Sequence, residues 1–220
     1  MKAFVAGATG ETGQRIVRTL VQRGIPVKAF VRDAAKARSI LPIEAELAQG
    51  EVGDREAIRL AIADCTVILS ATGARPSLDP TGPYKVDYEG TKNLVDAAKE
   101  KGIEHFVMVS SLCASQFFHP LNLFWLILYW KKQAEDYLQN SGLTYTIVRP
   151  GGLKNEDNDE RPLVMAGADS LSEGNVARLK VAQTCVEALF QPDARNKIVE
   201  IVAQEDGESK SFQELFAQVA

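Results

Sequence analysis

The sequence predicts a single α/β domain built on a doubly wound parallel sheet. Short β-branched runs alternate with helical patterns along most of the 220 residues, and no linker or internal repeat divides the chain. The composition, 45% hydrophobic and 25% charged, is that of a globular protein. Strands that alternate with helices form right-handed βαβ units, and such units build a parallel sheet. We therefore expect residues 1–220 to fold as one domain.

The elements follow in regular order up to Pro150. Apolar runs with β-branched residues predict strands at Lys2–Ala6, Pro26–Arg32, Ala45–Val52, Thr66–Gly73, His105–Ser111 and Thr144–Pro150. Helical spacing of the apolar residues predicts helices at Gly13–Gly24, Asp33–Leu41, Asp54–Cys65, Tyr84–Gly102 and His119–Gln139.

The pattern loosens after Pro150. A turn-rich acidic loop, Gly151–Pro162, precedes a helix at Asn175–Phe190 and a strand at Lys197–Ala203. A last helix begins at Ser211, because Glu214 follows it at the spacing of a capping box. We expect this C-terminal part, from about residue 151, to complete the substrate side of the same domain.

Charge and residue counts exclude several classes of partner. The net charge of −4 argues against nucleic acid as the main partner. Two histidines are too few for a zinc site, so no metal is expected. Three scattered cysteines without a CxxC pair suit a reducing compartment. Because the N-terminus enters a strand directly, we expect no leader segment and a cytoplasmic protein, monomeric or weakly dimeric.

A glycine-rich turn follows the first strand. The stretch "GATGETG" places Gly7, Gly10 and Gly13 in a GxxGxxG spacing before the first helix. Gly7 permits a tight turn, Gly10 lets the backbone approach a pyrophosphate, and Gly13 allows close helix–strand contact. The helix N-terminus adds N–H donors for a phosphate. This context predicts a Rossmann fold that binds a dinucleotide.

The end of the second strand indicates which dinucleotide is bound. Arg32 occupies the place where an acidic residue would accept from a ribose 2′-hydroxyl, and Lys36 lies one helical turn further. A cation there favours the 2′-phosphate of NADP(H), although Glu11 would oppose that phosphate if its side chain pointed inward. Asp54 follows the third strand and either contacts the adenine or caps the next helix.

The segment Leu123–Trp130 is the most apolar part of the chain. It is shorter than the roughly 20 residues that a membrane-spanning helix needs. A helix that is apolar on all sides is normally buried. We therefore expect it to pack on the core or on a partner helix, with contact to a membrane surface as the alternative.

Together these motifs resemble a known family. The stretches that carry the resemblance are "GATGETG", "FVRD", "VGD", "VILSATG", "VDYEGTKNLVDAAKEKGIEHFVMVSS" and "SGLTYTIVRPGG". They are similar to atypical short-chain dehydrogenases/reductases of the NmrA-like and flavin/biliverdin-IX-beta reductase subgroup. The stretch "LNLFWLILYWKKQAEDYL" resembles most the NADP-binding core of a dehydrogenase-like subunit of the plastid translocon, which implies a cyanobacterial or plastid lineage.

The resemblance implies a set of site residues. Its phosphate loop consists of Thr9, Gly10, Glu11, Thr12 and Gly13, with Arg32 on the 2′-phosphate. The residues implied to border the rest of the cofactor are Ala71, Thr72, Gly73, Ser110, Pro150, Gly151 and Gly152. Ser111 would orient the substrate, and Lys131 would hold the nicotinamide ribose. Arg75 and Lys85 are expected at the surface, with contact to an anionic substrate edge as the alternative.

One catalytic group of the wider family is missing. The tyrosine that donates the proton would be residue 127, four before Lys131, but that residue is Ile127. The first interpretation is an NADPH-dependent reductase of a planar conjugated acceptor, such as a flavin or a linear tetrapyrrole. The second is an NADP(H)-binding redox sensor, and the third is an assembly scaffold near photosynthetic membranes, neither of which would catalyse a reaction.

Overall fold

The structure, a computed structural model, describes residues 1–74 and 78–219. Arg75, for which a surface position was expected, lies outside them. The strands are β1 Ala3–Ala6, β2 Val27–Val31, β3 Glu46–Gln49, β4 Val67–Ser70, β5 His105–Val109, β6 Tyr145–Pro150, β7 Gly152–Lys154, β8 Leu163–Ala166, β9 Asn175–Ala177 and β10 Lys197–Ala203. The α-helices are α1 Glu11–Gln22, α2 Ala34–Arg38, α3 Arg55–Ala61, α4 Gly90–Lys101, α5 Ile127–Gln139, α6 Arg178–Glu187 and α7 Phe212–Ala217.

The strands form one sheet with the order β3-β2-β1-β4-β5-β6-β10-β9-β7, and β8 pairs with β10. From β3 to β10 all neighbours are parallel, whereas β8 and β9 run antiparallel to β10. The chain order reverses between β1 and β4. In such sheets a ligand binds at the carboxyl ends of the strands beside this reversal. The predicted fold class is confirmed.

Helices cover both faces of the sheet. On one face α1 and α6 pack against apolar residues such as Val5, Leu69 and Val148. On the other face α3, α4 and α5 cover Phe4, Ile68 and related side chains. The five residues of β2 and of β5 are fully buried, as strands of a sheet covered on both sides must be. The burial explains why these strands are mostly apolar, with Lys28 and His105 as the polar exceptions.

The predicted helix at Tyr84–Gly102 is confirmed in extent but begins irregularly. Residues Tyr84–Glu89 form a π-helix, and α4 continues from Gly90. Such wide turns are frequent at functional sites. This one directs Asp87 into the interior, where 2% of its surface is exposed.

The predicted continuous helix at His119–Gln139 is wrong in its first third. Pro120–Leu123 form a 3-10 turn, and α5 begins only at Ile127. The buried Asn122 explains the break, because its Oδ1 accepts hydrogen bonds from the backbone N–H groups of Leu128 (2.9 Å) and Tyr129 (3.1 Å). A side chain from outside the helix thus supplies the N-terminal cap that a longer helix would not need.

Only the second half of the stretch Leu123–Trp130 packs on its own chain, and contact of the first half with a partner helix stays a prediction. The segment Phe117–Leu126, called the apolar segment below, exposes most of its large side chains to solvent. Phe118 is 95% and Leu123 is 85% exposed, whereas Leu128 on α5 is buried. Within residues 1–74 and 78–219, no helix is long and apolar enough to cross a membrane.

Candidate functional site

A cleft of about 820 Å³ lies at the carboxyl ends of β1, β2 and β4. This is where the chain order reverses, as expected for a dinucleotide site. The residues that line it are Gly7, Thr9, Gly10, Phe30, Val31, Arg32, Gly50, Glu51, Val52, Gly53, Ala71, Thr72, Gly73, Ala74, Gly82, Lys85, Val86, Glu89, Lys92 and Asn93. The cleft therefore brings together Gly7, Thr9 and Gly10 of the predicted cofactor loop, Arg32 and the end of β4, whereas Glu11, Thr12 and Gly13 do not line it.

The glycine loop has the geometry that its spacing predicts. Gly7 has a φ of +74°, and a Cβ on it would lie 2.5 Å from the carbonyl oxygen of Ala71. A Cβ on Gly13 would lie 2.1 Å from the carbonyl oxygen of Gly7. No side chain caps α1, whose N-cap residue is Gly10. The N–H groups of its first turn can therefore donate hydrogen bonds to an anion, and the residues present fit a pyrophosphate.

Two residues of the predicted phosphate loop point elsewhere. The carboxylate of Glu11 forms an ion pair with Arg15 at 3.1 Å on the exposed side of α1, so it does not oppose a phosphate from inside the cleft. Thr12 is buried, and its hydroxyl accepts a hydrogen bond from Arg178 at 3.1 Å. Burial lowers the pKa of Arg178, against a smaller raising effect of Glu11. Contact of these two residues with the cofactor stays a prediction.

The cations of the cleft differ from those expected. Arg32 lines it, but Lys36 is exposed and is not among the lining residues. The additional cations are Lys85 and Lys92, on the π-helix and α4 across the cleft. Lys85 therefore lies where an anionic group of a ligand could contact it. Contact with an anionic substrate edge was the alternative to a plain surface position for this residue.

Asp54 takes the capping position rather than a place in the cleft. Its Oδ1 accepts from the backbone N–H of Ala57 at 3.0 Å, and α3 starts there. The backbone of Val52 and Gly53 lines the cleft instead. The adenine contact considered for Asp54 finds no support in this geometry, because the carboxylate already caps the N-terminus of α3.

The carboxyl ends of β4 and β5 hold the predicted catalytic residues. Ser110 is buried, and its hydroxyl has no hydrogen-bond partner among the described residues. Ser111 next to it is half-buried. Lys131 on α5 reaches this region, because a Cβ on Gly73 would lie 3.9 Å from its Nζ. A buried hydroxyl without a partner among the described residues indicates a place that a polar ligand completes.

Asp87 was not predicted as part of this site. Its Oδ1 accepts from Lys131 Nζ at 2.7 Å, and its Oδ2 accepts from the backbone N–H of Ala74 at 3.1 Å. The carboxylate therefore connects the π-helix, α5 and the loop after β4. An acidic residue among apolar neighbours in "YKVDYEG" was the available signal, because a buried acid needs a partner.

The remaining predicted positions, Pro150, Gly151 and Gly152, lie at the end of β6 and the start of β7. Pro150 ends β6 and Gly151 is buried, and a Cβ on Gly151 would lie 2.6 Å from the carbonyl oxygen of Gly174. Gly152 donates a hydrogen bond to the same carbonyl at 2.9 Å. None of the three lines the cleft, so closure of this turn over a nicotinamide stays a prediction. Among the described residues no cluster suits a metal ion.

Comparison with protein families gives a match over residues 7–192 to a model described as NAD(P)H-binding. The chain belongs to this NAD(P)H-binding family. The match covers the glycine loop, the residues that line the cleft, and helices α4 and α5. The prediction of a nicotinamide cofactor of the NADP(H) class is thereby confirmed, and the proposed kinship with atypical short-chain dehydrogenases/reductases agrees with it.

Three curated relatives extend over nearly the whole chain. An uncharacterised chloroplastic protein of Arabidopsis thaliana is 45% identical over 99% of this chain and 82% of its own length. Protein TIC 62 of the same plant, also chloroplastic, is 38% identical over 91% of this chain. This chain spans only 35% of TIC 62. Sanguinarine reductase of Eschscholzia californica is 30% identical over 100% of this chain and 96% of its own length.

Solved structures share the fold. A Bacillus halodurans protein described as an NAD-dependent epimerase/dehydratase has a TM-score of 0.86 at 24% identity, with 99% of both chains covered. A Veillonella parvula short-chain dehydrogenase/reductase in complex with NADP has a TM-score of 0.74 at 18% identity, over 96% and 98% of the chains. An anaerobillin reductase of Escherichia coli has a TM-score of 0.78 at 23% identity, over 95% and 100%.

The comparisons correct one expectation. The sequence was expected to belong to a cytoplasmic protein, but the relatives at 45% and 38% identity are chloroplastic. The expectation of a cytoplasmic protein is therefore wrong by this comparison, and the chloroplastic relatives agree with the plastid affinity of the motifs. The family thus includes plastid proteins and at least one reductase.

Proposed function

We propose that this protein is an NADPH-dependent reductase that transfers a hydride to a planar conjugated acceptor, such as a flavin or a linear tetrapyrrole. The observation that carries the proposal is the arrangement at Gly73. There a nucleotide-sized cleft ends beside the Lys131 ammonium. The same carboxyl edge of the sheet carries Ser110, whose hydroxyl has no hydrogen-bond partner in the described part of the chain. The kinship with sanguinarine reductase and the shared fold of an anaerobillin reductase support reduction as the reaction.

Different residues of the chain bind the different parts of the cofactor and the acceptor. The uncapped N-terminus of α1 and the glycine loop bind the pyrophosphate, and Arg32 binds the 2′-phosphate. When bound, NADPH supplies the hydride. Ser110, Ser111 and Lys131 orient polar groups of the ligands at the ends of β4 and β5. We expect a planar acceptor because its ring can take up the hydride when it is held flat against the cofactor. Such a transfer requires that the two ligands are positioned correctly and requires no covalent bond to the protein.

The decisive experiment follows NADPH oxidation by absorbance while the purified protein is offered FMN, FAD, biliverdin and a soluble quinone. We expect one of these acceptors to be reduced with one NADPH consumed per two electrons transferred. NADH should support a slower reaction. Tight NADPH binding with no oxidation in the presence of any acceptor would contradict the proposal.

The exposed apolar segment favours a second candidate, an NADP(H)-binding scaffold or sensor that docks on a membrane surface without catalysis. Contiguous exposed apolar side chains mark interaction surfaces, and Phe118 and Leu123 are almost fully exposed. Neutral and anionic phospholipid vesicles would test this by co-sedimentation. Vesicle binding that Phe118→Ser and Leu123→Ser abolish, combined with no turnover of any acceptor, would favour the scaffold over the reductase.

A further inference from the structure

Asp87 is a buried carboxylate with two partners that belong to the candidate site. It holds the Lys131 ammonium at 2.7 Å and the Ala74 backbone N–H at 3.1 Å. The Lys131 side chain is itself only 14% exposed. Burying an ion pair costs desolvation energy that its attraction barely offsets, so such pairs are weak evidence of a purely stabilising role. Because the Asp87–Lys131 ion pair lies beside the cleft, we infer that it has a functional role.

Lys131 retains unused hydrogen-bonding capacity. An ammonium has three N–H donors, and among the described residues only Asp87 accepts from this one. The ammonium lies beside Gly73, which lines the cleft. The hydroxyl of Ser110 at the end of β5 likewise has no partner within residues 1–74 and 78–219. Two independent groups at this edge of the sheet are therefore available to a bound ligand.

No tyrosine takes the proton donor's place on α5. Ile127 packs against an apolar cluster that contains Leu112, Cys113 and Leu128. The hydroxyl groups of Tyr84 and Tyr137 are bound to carboxylates elsewhere, at 2.8 Å and 2.7 Å. Tyr129, the other tyrosine of α5, packs its ring against Phe117 and Trp130. Lys131 is the acidic N–H group that α5 carries to the edge of the cleft.

We propose that Lys131 donates the proton that accompanies the hydride, and that Asp87 is the positioning residue that holds the ammonium toward Gly73. The inference rests on the proposed reductase function and assigns its missing acid. Asp87 fixes the ammonium through one oxygen while its second oxygen is anchored on Ala74. The pair is neutral as a whole, so it remains buried without repelling an uncharged acceptor.

The chemistry balances as follows for an uncharged conjugated acceptor. Hydride addition reduces the acceptor and leaves an electron pair on its conjugate nitrogen or oxygen. One N–H bond of Lys131 then breaks, and a new bond to hydrogen forms at that atom. The resulting neutral amine recovers a proton from water. The positive ammonium also stabilises the negative charge that develops during hydride arrival.

The first test replaces Lys131 by alanine and adds small primary amines. We expect kcat to fall by roughly 100-fold, the lower end of what a general acid contributes. Methylammonium or ethylammonium should restore part of kcat in a concentration-dependent manner. The affinity for NADPH, measured by nucleotide fluorescence, should remain nearly unchanged. Lys132→Ala is the matched control, because its ammonium pairs with Asp136 on the same helix, and it should retain kcat and ignore added amines.

The second test examines whether Asp87 acts through Lys131. Asp87→Asn should lower kcat by roughly tenfold with KM for NADPH unchanged, as expected when an interaction needed only for the reaction step is lost. Asp87→Glu should recover part of the loss. In the Lys131→Ala background, Asp87→Asn should have no further effect on kcat, because the two residues act as one unit. Thermal unfolding of each variant checks that the fold persists.

The outcomes separate the two claims. Loss of NADPH affinity in Lys131→Ala without rescue by amines would assign Lys131 to the ribose and overturn the inference alone. Additive losses from Lys131→Ala and Asp87→Asn would overturn the role of Asp87. A wild-type protein that binds NADPH but reduces no acceptor would overturn the reductase proposal and this inference together.

Discussion

Arg32 is the cation that stands at the end of β2 inside the cleft. It is exposed, lines the cleft and forms no ion pair with another described residue. A guanidinium without a protein partner is free to bind a phosphate through two parallel hydrogen bonds. Lys36, one helical turn away, faces solvent outside the cleft. The two cations therefore offer a matched pair for testing cofactor choice.

Arg32→Ala should weaken NADPH binding by roughly 10- to 100-fold, the range of a lost charge-assisted hydrogen bond of about 1.5–3 kcal/mol. NADH binding should change little, because NADH lacks the 2′-phosphate. Titrations of both nucleotides by fluorescence measure the two effects, with Lys36→Ala as the control that leaves both intact. If the affinities for NADPH and NADH fall alike in Arg32→Ala, the assignment of the 2′-phosphate to this residue is wrong.

His105 gives a pH dependence of stability. Burial is the main cause that lowers its pKa to about 4 from an ordinary 6.5, and the charge of Arg195 adds to it. Its Nε2 contacts Thr146 Oγ1 at 2.9 Å. Because the folded pKa lies below the unfolded one, the native state resists protonation. This stability is complete above pH 6.5 and is lost as the pH falls from 6.5 through 4.

His105→Gln should flatten the slope of unfolding free energy against pH between 6.5 and 4. The wild-type protein should lose on the order of 3 kcal/mol over that interval from this residue. Urea unfolding at several pH values measures the slope. His119→Gln is the control and should keep the wild-type slope, because His119 caps a short turn near the surface. Equal slopes in wild type and His105→Gln would show that another group carries the acid sensitivity.

At the scale of single elements, the sequence predicted what local periodicity dictates. Six parallel strands and the glycine turn lie where the alternating pattern places them, because strands buried on both faces are mostly apolar. The break before Ile127 could not be predicted, since it depends on Asn122, a polar residue that folds back onto the helix start. The pairing of Asp87 with Lys131 spans 44 positions and depends on a π-helix. Neither feature has a local signature.

The turn from β1 into α1 permits a sharp test of the glycine loop. Gly13→Ala would place a Cβ 2.1 Å from a backbone oxygen of Gly7, so the turn must shift. We expect a stability loss of about 1–3 kcal/mol from overpacking. The affinity for NADPH should fall more than about tenfold because the N–H groups at α1 move. Both are measured on the purified variant, by urea unfolding and by nucleotide fluorescence.

Gly24→Ala is the matched control at the other end of α1. Gly24 has a φ of +68°, but no atom lies within 4 Å of a Cβ there. The left-handed backbone should cost about 1–2 kcal/mol, with NADPH affinity unchanged. Similar losses of affinity in both variants would mean that general destabilisation, and not the shape of the loop, controls nucleotide binding.

For the molecule as a whole, a buried ion network connects the nucleotide half of the sheet to its C-terminal half. Arg149 on β6 binds Glu135 of α5 at 2.7 Å and Glu200 of β10 at 3.2 Å. It also reaches Asp169 at 2.8 Å. Burial opposes its charge, but the hydrogen bonds and charges of its carboxylate partners, Glu135 foremost, raise the pKa of Arg149 above its usual value. Glu135 lies one turn beyond Lys131, so this network helps to fix α5 on the sheet.

Arg149→Met should destabilise the protein by about 3–5 kcal/mol, because it leaves two fully buried carboxylates without a counter-charge. Arg55→Met, which removes an exposed ion pair with Glu100, should cost far less, because solvent screens exposed pairs. Adding Glu135→Met to Arg149→Met should recover part of the loss, because one buried charge disappears.

Glu200 is a poor choice for that second change, since it also accepts backbone hydrogen bonds from Asp169, Ser170 and Leu171. Unfolding in urea gives all three free energies, and equal costs for Arg149→Met and Arg55→Met would mean that the network does not hold the two halves of the sheet together.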